Sequence, residues 1–208
     1  RPTANGKISP REMSIYSVLS TVFFIYATVH LHPHAWYFIP IPILLMLIYP
    51  FLKRFTWFCH FGLGSIYFVV PSAVTIATVG ELTSWAILLG IAGMFWVTGF
   101  DILYSISDID VDRQQNLKSI PSRFGIRIAI LSTRSLHFFA VILLFLTGYY
   151  YHSGLIYYLG ICLVSILLLY ENLIISENDL SRLNVAFFSM NGMIAVVFGT
   201  FVAFDVFL

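Results

Sequence analysis

Apolar residues run through this 208-residue chain in long blocks separated by short polar gaps, without the strict alternation that marks half-buried strands. A helix that crosses a bilayer needs about 17–25 predominantly apolar residues. Seven blocks reach that length, at 13–32, 35–52, 56–80, 82–104, 131–151, 154–175 and 183–206. The gaps between them carry helix-ending residues: His32 with Pro33, Lys53 with Arg54, Gly80 to Ser84, His152 to Gly154, and Ser176 to Arg182. There is no fixed-period repeat, and no gap is long enough for a second soluble domain. The pattern therefore predicts one all-α domain over 1–208, a polytopic membrane bundle with seven transmembrane helices.

Composition removes the main alternative. With 59% hydrophobic and 10% charged residues and a mean hydropathy of +0.89, the chain cannot build the polar shell of a water-soluble domain. A net charge of +1 supports no nucleic-acid partner. Cys59 and Cys162 sit in separate apolar blocks and read as small hydrophobes.

Charge then orients the spans. All eleven Lys and Arg residues fall before the first span, in the second, fourth and sixth gaps, or just inside the span that follows the fourth. Cytoplasmic loops are enriched in these residues, so the stretch after Tyr104 is expected on the cytoplasmic side, in a bacterial inner membrane.

That stretch also concentrates acid. Asp101, Asp108, Asp110 and Asp112 are four of ten carboxylates, grouped within twelve residues directly after an apolar block. Like charges at a bilayer edge are costly unless a cation compensates them. On a helix, Asp101, Tyr104, Asp108 and Asp112 at i, i+3, i+7 and i+11 share one face, while Asp110 points away toward water. Mg²⁺ takes one or two carboxylates and completes its shell with water and substrate phosphate oxygens, so the cluster suits a Mg²⁺-diphosphate. Lys53, Arg54, Lys118 and Arg123 lie on the same side and can clamp phosphate oxygens.

The pattern Asp101-x-x-Tyr104-x-x-x-Asp108-x-x-x-Asp112, followed by Lys118-Ser119 and Phe124-Gly125, resembles the second aspartate-rich motif of the UbiA superfamily of intramembrane prenyltransferases. Arg1-Pro2-x-x-x-Gly6-Lys7-Ile8-Ser9 is similar to the segment after that family's first aspartate motif. Tyr49-Pro50-x-x-Lys53-Arg54-Phe55-Thr56 is similar to its next cytoplasmic loop. The 4-hydroxybenzoate polyprenyltransferase branch resembles the chain most.

The resemblance implies nine helices, of which the seven spans match the third to ninth. It also implies a first motif, Asn-Asp-x-x-Asp, upstream of Arg1. The chain is thus expected to be an N-terminally truncated piece; failing that, it has half a metal site. Asn116 stands where the family often has Gly.

The implied activity is Mg²⁺-dependent transfer of a polyprenyl group from its diphosphate to an aromatic acid, 4-hydroxybenzoate, in quinone biosynthesis. Asp101, Asp108 and Asp112 would hold metal. Lys53, Arg54, Lys118 and Arg123 would meet the substrates, and Tyr104 would orient a carboxylate or phosphate oxygen. Arg54 and Arg123 serve equally as topology signals.

The rival reading is a noncatalytic or transport protein that uses the aspartates as a cation site; against transport, the acids cluster at one membrane edge. The Asp-Gly-x-x-Ala-Arg opening of the CDP-alcohol phosphotransferases is missing. His30, His32 and His34 sit at a turn and read as interfacial anchors, His60 as a hydrogen-bonded bundle residue, and Glu171 as a water-facing acid at a span end. Asn184 and Asn191, seven apart, are expected on one helix face as interhelical hydrogen-bonding groups.

Overall fold

The computed structural model describes residues 8–208. Its seven spanning segments are helical, and no strand occurs among the described residues. The long helices are α1 (Pro10–Val29), α2 (Pro40–Phe55), α3 (Cys59–Val79) and α4 (Ser84–Tyr104). Two short helices follow, α5 (Ile109–Gln114) and α6 (Ile120–Phe124), and then α7 (Ile126–Tyr151), α8 (Leu155–Leu173) and α9 (Asn191–Phe207). The segment Arg1 to Lys7, which carries most of the Arg-Pro motif, lies outside the described residues.

Helix ends follow local chemistry. Ser9 caps α1 in a reciprocal box with Glu12, and Pro10 fills the first turn, where a missing N–H costs nothing. Gly80 closes α3 in the left-handed region at φ +80, which a side chain would strain. α7 begins five residues before the expected 131, because Gly125 at φ +86 breaks the chain there. At about 1.5 Å per residue its 26 residues exceed the hydrocarbon thickness, so Arg127 and Arg134 ride near its polar end.

α4 is the axis of the bundle, packed against α3 on one side and α7 on the other, while α1 and α2 stay peripheral with few buried residues. Lipid is as apolar as leucine, so close packing and interhelical hydrogen bonds hold such a bundle. Any Cβ at Gly99 would collide with the His137 ring, so that glycine lets α7 approach. There the Thr133 hydroxyl donates to the Gly99 carbonyl at 2.9 Å. The Trp96 indole N–H donates to Asn191 Oδ1 at 2.8 Å, joining α4 to α9, and His137 joins Asn172 of α8 at 2.9 Å. Each such bond is worth about 0.6 to 2 kcal/mol.

Three expectations are corrected. The four-residue face from Asp101 to Asp112 is not one α-helix: α4 ends at Tyr104, a 3-10 turn covers Ser105–Asp108, and α5 starts at Ile109. Glu171 does not face water; its side chain is fully buried between α8 and α9. Asn184 and Asn191 do not share a face, because a π-helical segment, Val185–Met190, widens the turns between them and leaves Asn184 exposed while Asn191 is buried.

Candidate functional site

The site gathers where α2 ends against the turn after α4. Lys53 lies in the last turn of α2, where a cation is favoured by the helix dipole. Its ammonium donates to both oxygens of Asp112, at 3.2 and 3.0 Å, and stands 3.6 Å from Asp108 Oδ2. Asp112 is only 2% exposed, whereas half of the Asp108 side chain reaches solvent. One carboxylate is thus sunk into the protein and the other stands at the rim, with a single cationic atom between them. Asp110 is exposed, off the shared centre.

Asp101 is held apart from this pair. Its Oδ2 lies 2.7 Å from Nδ1 of His60, a fully buried residue in the first turn of α3. His60 Nε2 accepts the Ile120 N–H at 3.4 Å, which leaves Nδ1 to carry the proton and donate it to Asp101. His60 therefore ties α3, α4 and α6 together at the site's base. Among the described residues, no three His, Cys, Asp or Glu side chains converge closely enough to cage a metal unaided.

The loop from α5 to α6 closes the rim. Asn116 adopts φ +52, a left-handed conformation that Asn tolerates best after Gly, so it makes the turn despite the departure from Gly. The Lys118 N–H donates to the Lys53 carbonyl at 2.6 Å, and its ammonium reaches the Phe55 carbonyl at 3.0 Å. Lys118, itself exposed, thus pins the loop to the α2 terminus. Ser119 and Ser122 cap α6 reciprocally. Arg54 lies over the Phe51 ring at 5.9 Å and is exposed; Arg123 is exposed as well, and neither is drawn to the aspartates.

Below the acids runs a ladder of rings. Tyr104 stacks on Phe187 at 4.0 Å and 22°. Phe187 meets Phe100 at 5.6 Å, and Phe100 meets Trp96 at 5.7 Å, both edge to face. Trp96, Phe100 and Tyr104 are spaced i, i+4 and i+8, a stripe on α4 that the sequence displays. Phe187 could not be placed from sequence, since only the π-helical turn aims it at Tyr104. Trp96 also borders an apolar cavity of about 200 Å³, walled further by Tyr67, Leu89, Leu168, Ile194 and Phe198.

Acids and bases at one end of a helical bundle, together with aromatic rings and an apolar cavity inside it, define an intramembrane protein with a charged end and an apolar interior. The chain belongs to the UbiA prenyltransferase family, whose profile matches residues 1–198. It is 33% identical to a 4-hydroxybenzoate octaprenyltransferase of Pseudomonas putida (strain W619) over 75% of its length and 54% of that protein. Against the enzyme of the same name from Pseudomonas entomophila (strain L48) it is 34% identical over the same shares. The chain therefore spans about half the length of the curated relatives it matches.

Among solved structures it is similar to a UbiA homolog from Aeropyrum pernix K1, with a TM-score of 0.89 at 27% identity, covering 99% of this chain and 76% of that one. A digeranylgeranylglyceryl phosphate synthase shares the fold, with a TM-score of 0.74 at 19% identity over 100% of this chain and 74% of that one.

Proposed function

We propose that the protein to which this chain belongs transfers a polyprenyl group from its diphosphate to the ring of 4-hydroxybenzoate, a step of quinone biosynthesis. The observation that carries the reading is the convergence of Asp108 and Asp112 on one cationic atom, the Lys53 ammonium, just past the end of α4, whose last residue Tyr104 stacks on Phe187. Two carboxylates at one centre fit Mg²⁺, whose other positions go to water and phosphate oxygens. When bound, the ion would neutralise charge that builds on the departing diphosphate.

This chain's own residues do the rest. Asp108 and Asp112 would hold the ion, and Lys53, released from Asp112, would swing to the diphosphate together with Lys118. Asp101, oriented by His60, would complete the acidic floor. The allylic carbon–oxygen bond breaks and the diphosphate leaves with the electron pair. The ring carbon beside the acceptor's hydroxyl then attacks the allylic carbon, and the ring proton passes to the released diphosphate. Tyr104 and Phe187 would face the electron-poor allyl group, where each ring contributes about 0.5 to 2 kcal/mol. Tyr104 would also orient an oxygen of either substrate, while Arg54 and Arg123, exposed at the rim, would steer anionic substrates inward.

The apolar cavity beneath Trp96 suits a hydrocarbon tail and is a poor path for an ion, which favours transfer over transport. We orient the aspartate end toward the cytoplasm of a bacterial cell, because the basic residues gather there.

Replacement of Asp108 tests the reading. In the full-length protein, Asp108→Ala should cut Mg²⁺-dependent prenylation of 4-hydroxybenzoate by about 100-fold or more while membrane insertion persists. Retained transfer would remove Asp108 from the site.

A further inference from the structure

A groove of about 410 Å³ opens between α7 and α8, and none of the aspartates lines it. Its upper wall holds Arg134 and Asn172, and its lower wall Phe138, Val141, Ser165 and Leu169. Phe138 is 63% exposed and Leu169 61%, so the apolar part faces lipid. The polar part is built. His137, 2% exposed, forms its floor and accepts a hydrogen bond from the Asn172 amide at 2.9 Å.

Arg134 is the unusual element. An arginine that only marks topology stretches toward water. This one is bent onto the end of α8, where Nη2 donates to the Asn172 carbonyl at 3.0 Å and the Ile175 carbonyl at 3.3 Å. Both bonds use a single nitrogen, so Nη1 and Nε keep protons to donate. None of the ion pairs among the described residues involves Arg134. A cation fixed on the carbonyl end of α8, and paired with no carboxylate among the described residues, therefore stands at the mouth of an apolar groove. Arg127, seven residues earlier and also exposed, shares its face of α7 and adds positive charge at the same rim.

We propose that this groove is a binding site for one anionic phospholipid, its phosphate on Arg134 and an acyl chain along Phe138, Val141 and Leu169. Basic pockets between membrane helices take anionic headgroups by this charge complementarity, and a guanidinium fork matches phosphate geometry. The site is separate from the transfer chemistry, and its test does not depend on it.

The test uses the full chain purified from equal mixtures of palmitoyl-oleoyl phosphatidylglycerol and phosphatidylcholine, with retained lipid counted by native mass spectrometry. The wild type should hold one phosphatidylglycerol, preferred over phosphatidylcholine by about fivefold, the expectation for one basic side chain beside an anionic headgroup. Arg134→Gln, which removes the charge and shortens the side chain, should erase the preference. Ser165→Phe, which fills the groove but leaves the charge, should lose the bound lipid. Equal retention of both lipids by the wild type, or an unchanged preference in Arg134→Gln, would overturn the proposal.

Discussion

Asp112 and Asp205 sit at opposite ends of the bundle, and both are bound by donors from another part of the chain, yet they are bound differently. Asp205, in the last turns of α9, accepts the Gly154 and Tyr157 backbone N–H groups at 2.9 and 3.0 Å. These are orphan donors at the N-terminus of α8, fixed in place and favoured by the helix dipole, so Asp205 is locked into the fold. Asp112 instead accepts from the ammonium of Lys53, a flexible side chain that a better ligand can displace. A carboxylate bound to backbone holds structure; one bound to a mobile lysine keeps its charge available for exchange.

Three substitutions bear on that contrast, and the largest effect belongs to the exchangeable carboxylate. Asp112→Asn preserves shape but removes charge, and should lower prenyl transfer by about 10²- to 10³-fold with little change in melting temperature. A loss of stability with activity intact would reverse the assignment. Next comes the ring ladder: Phe187→Ala should slow transfer about tenfold, measured as kcat, through the lost cation-facing ring. Unchanged kcat would make the Tyr104–Phe187 stack ordinary packing. The smallest effect is at the locked end. Asp205→Ala should cost about 1 kcal/mol, a drop of roughly 2–4 °C in the melting temperature in detergent, and leave transfer unchanged. A transfer defect there would show that the two ends are coupled.

Much of this was legible in the chain. Seven apolar blocks became seven spanning helices, because lipid satisfies no backbone polar group and helices satisfy their own. The placement of Lys53 on the membrane side of the aspartates followed from charge patterning, whereas its pairing with Asp112 did not, since Lys53 was expected on the diphosphate. The continuous acidic face did not survive, since the 3-10 turn at Ser105–Asp108 rotates Asp108 and Asp112 toward α2 and leaves Asp101 with α3. Hydrogen bonding explains Asn191 as expected, whereas Asn184 was misplaced by an assumed regular helix. Glu171 looked like a surface acid from its place near a span end. Packing of α8 on α9 buries it, and Asn191 beside it spends both amide protons on the Ala186 and Phe187 carbonyls.

The sequence by itself determined the helical class, the number of spans, the family and the identity of the acids and bases, because hydropathy, charge and motif spacing are local properties of the chain. Only the tertiary structure decided which of those groups meet. Lys53 reaches Asp112 across 59 positions, and His60 reaches Asp101 across 41. Phe187 meets Tyr104 through a turn that no residue type announces. Such contacts depend on how helices rotate and pack against one another, and that rotation is set by the whole bundle.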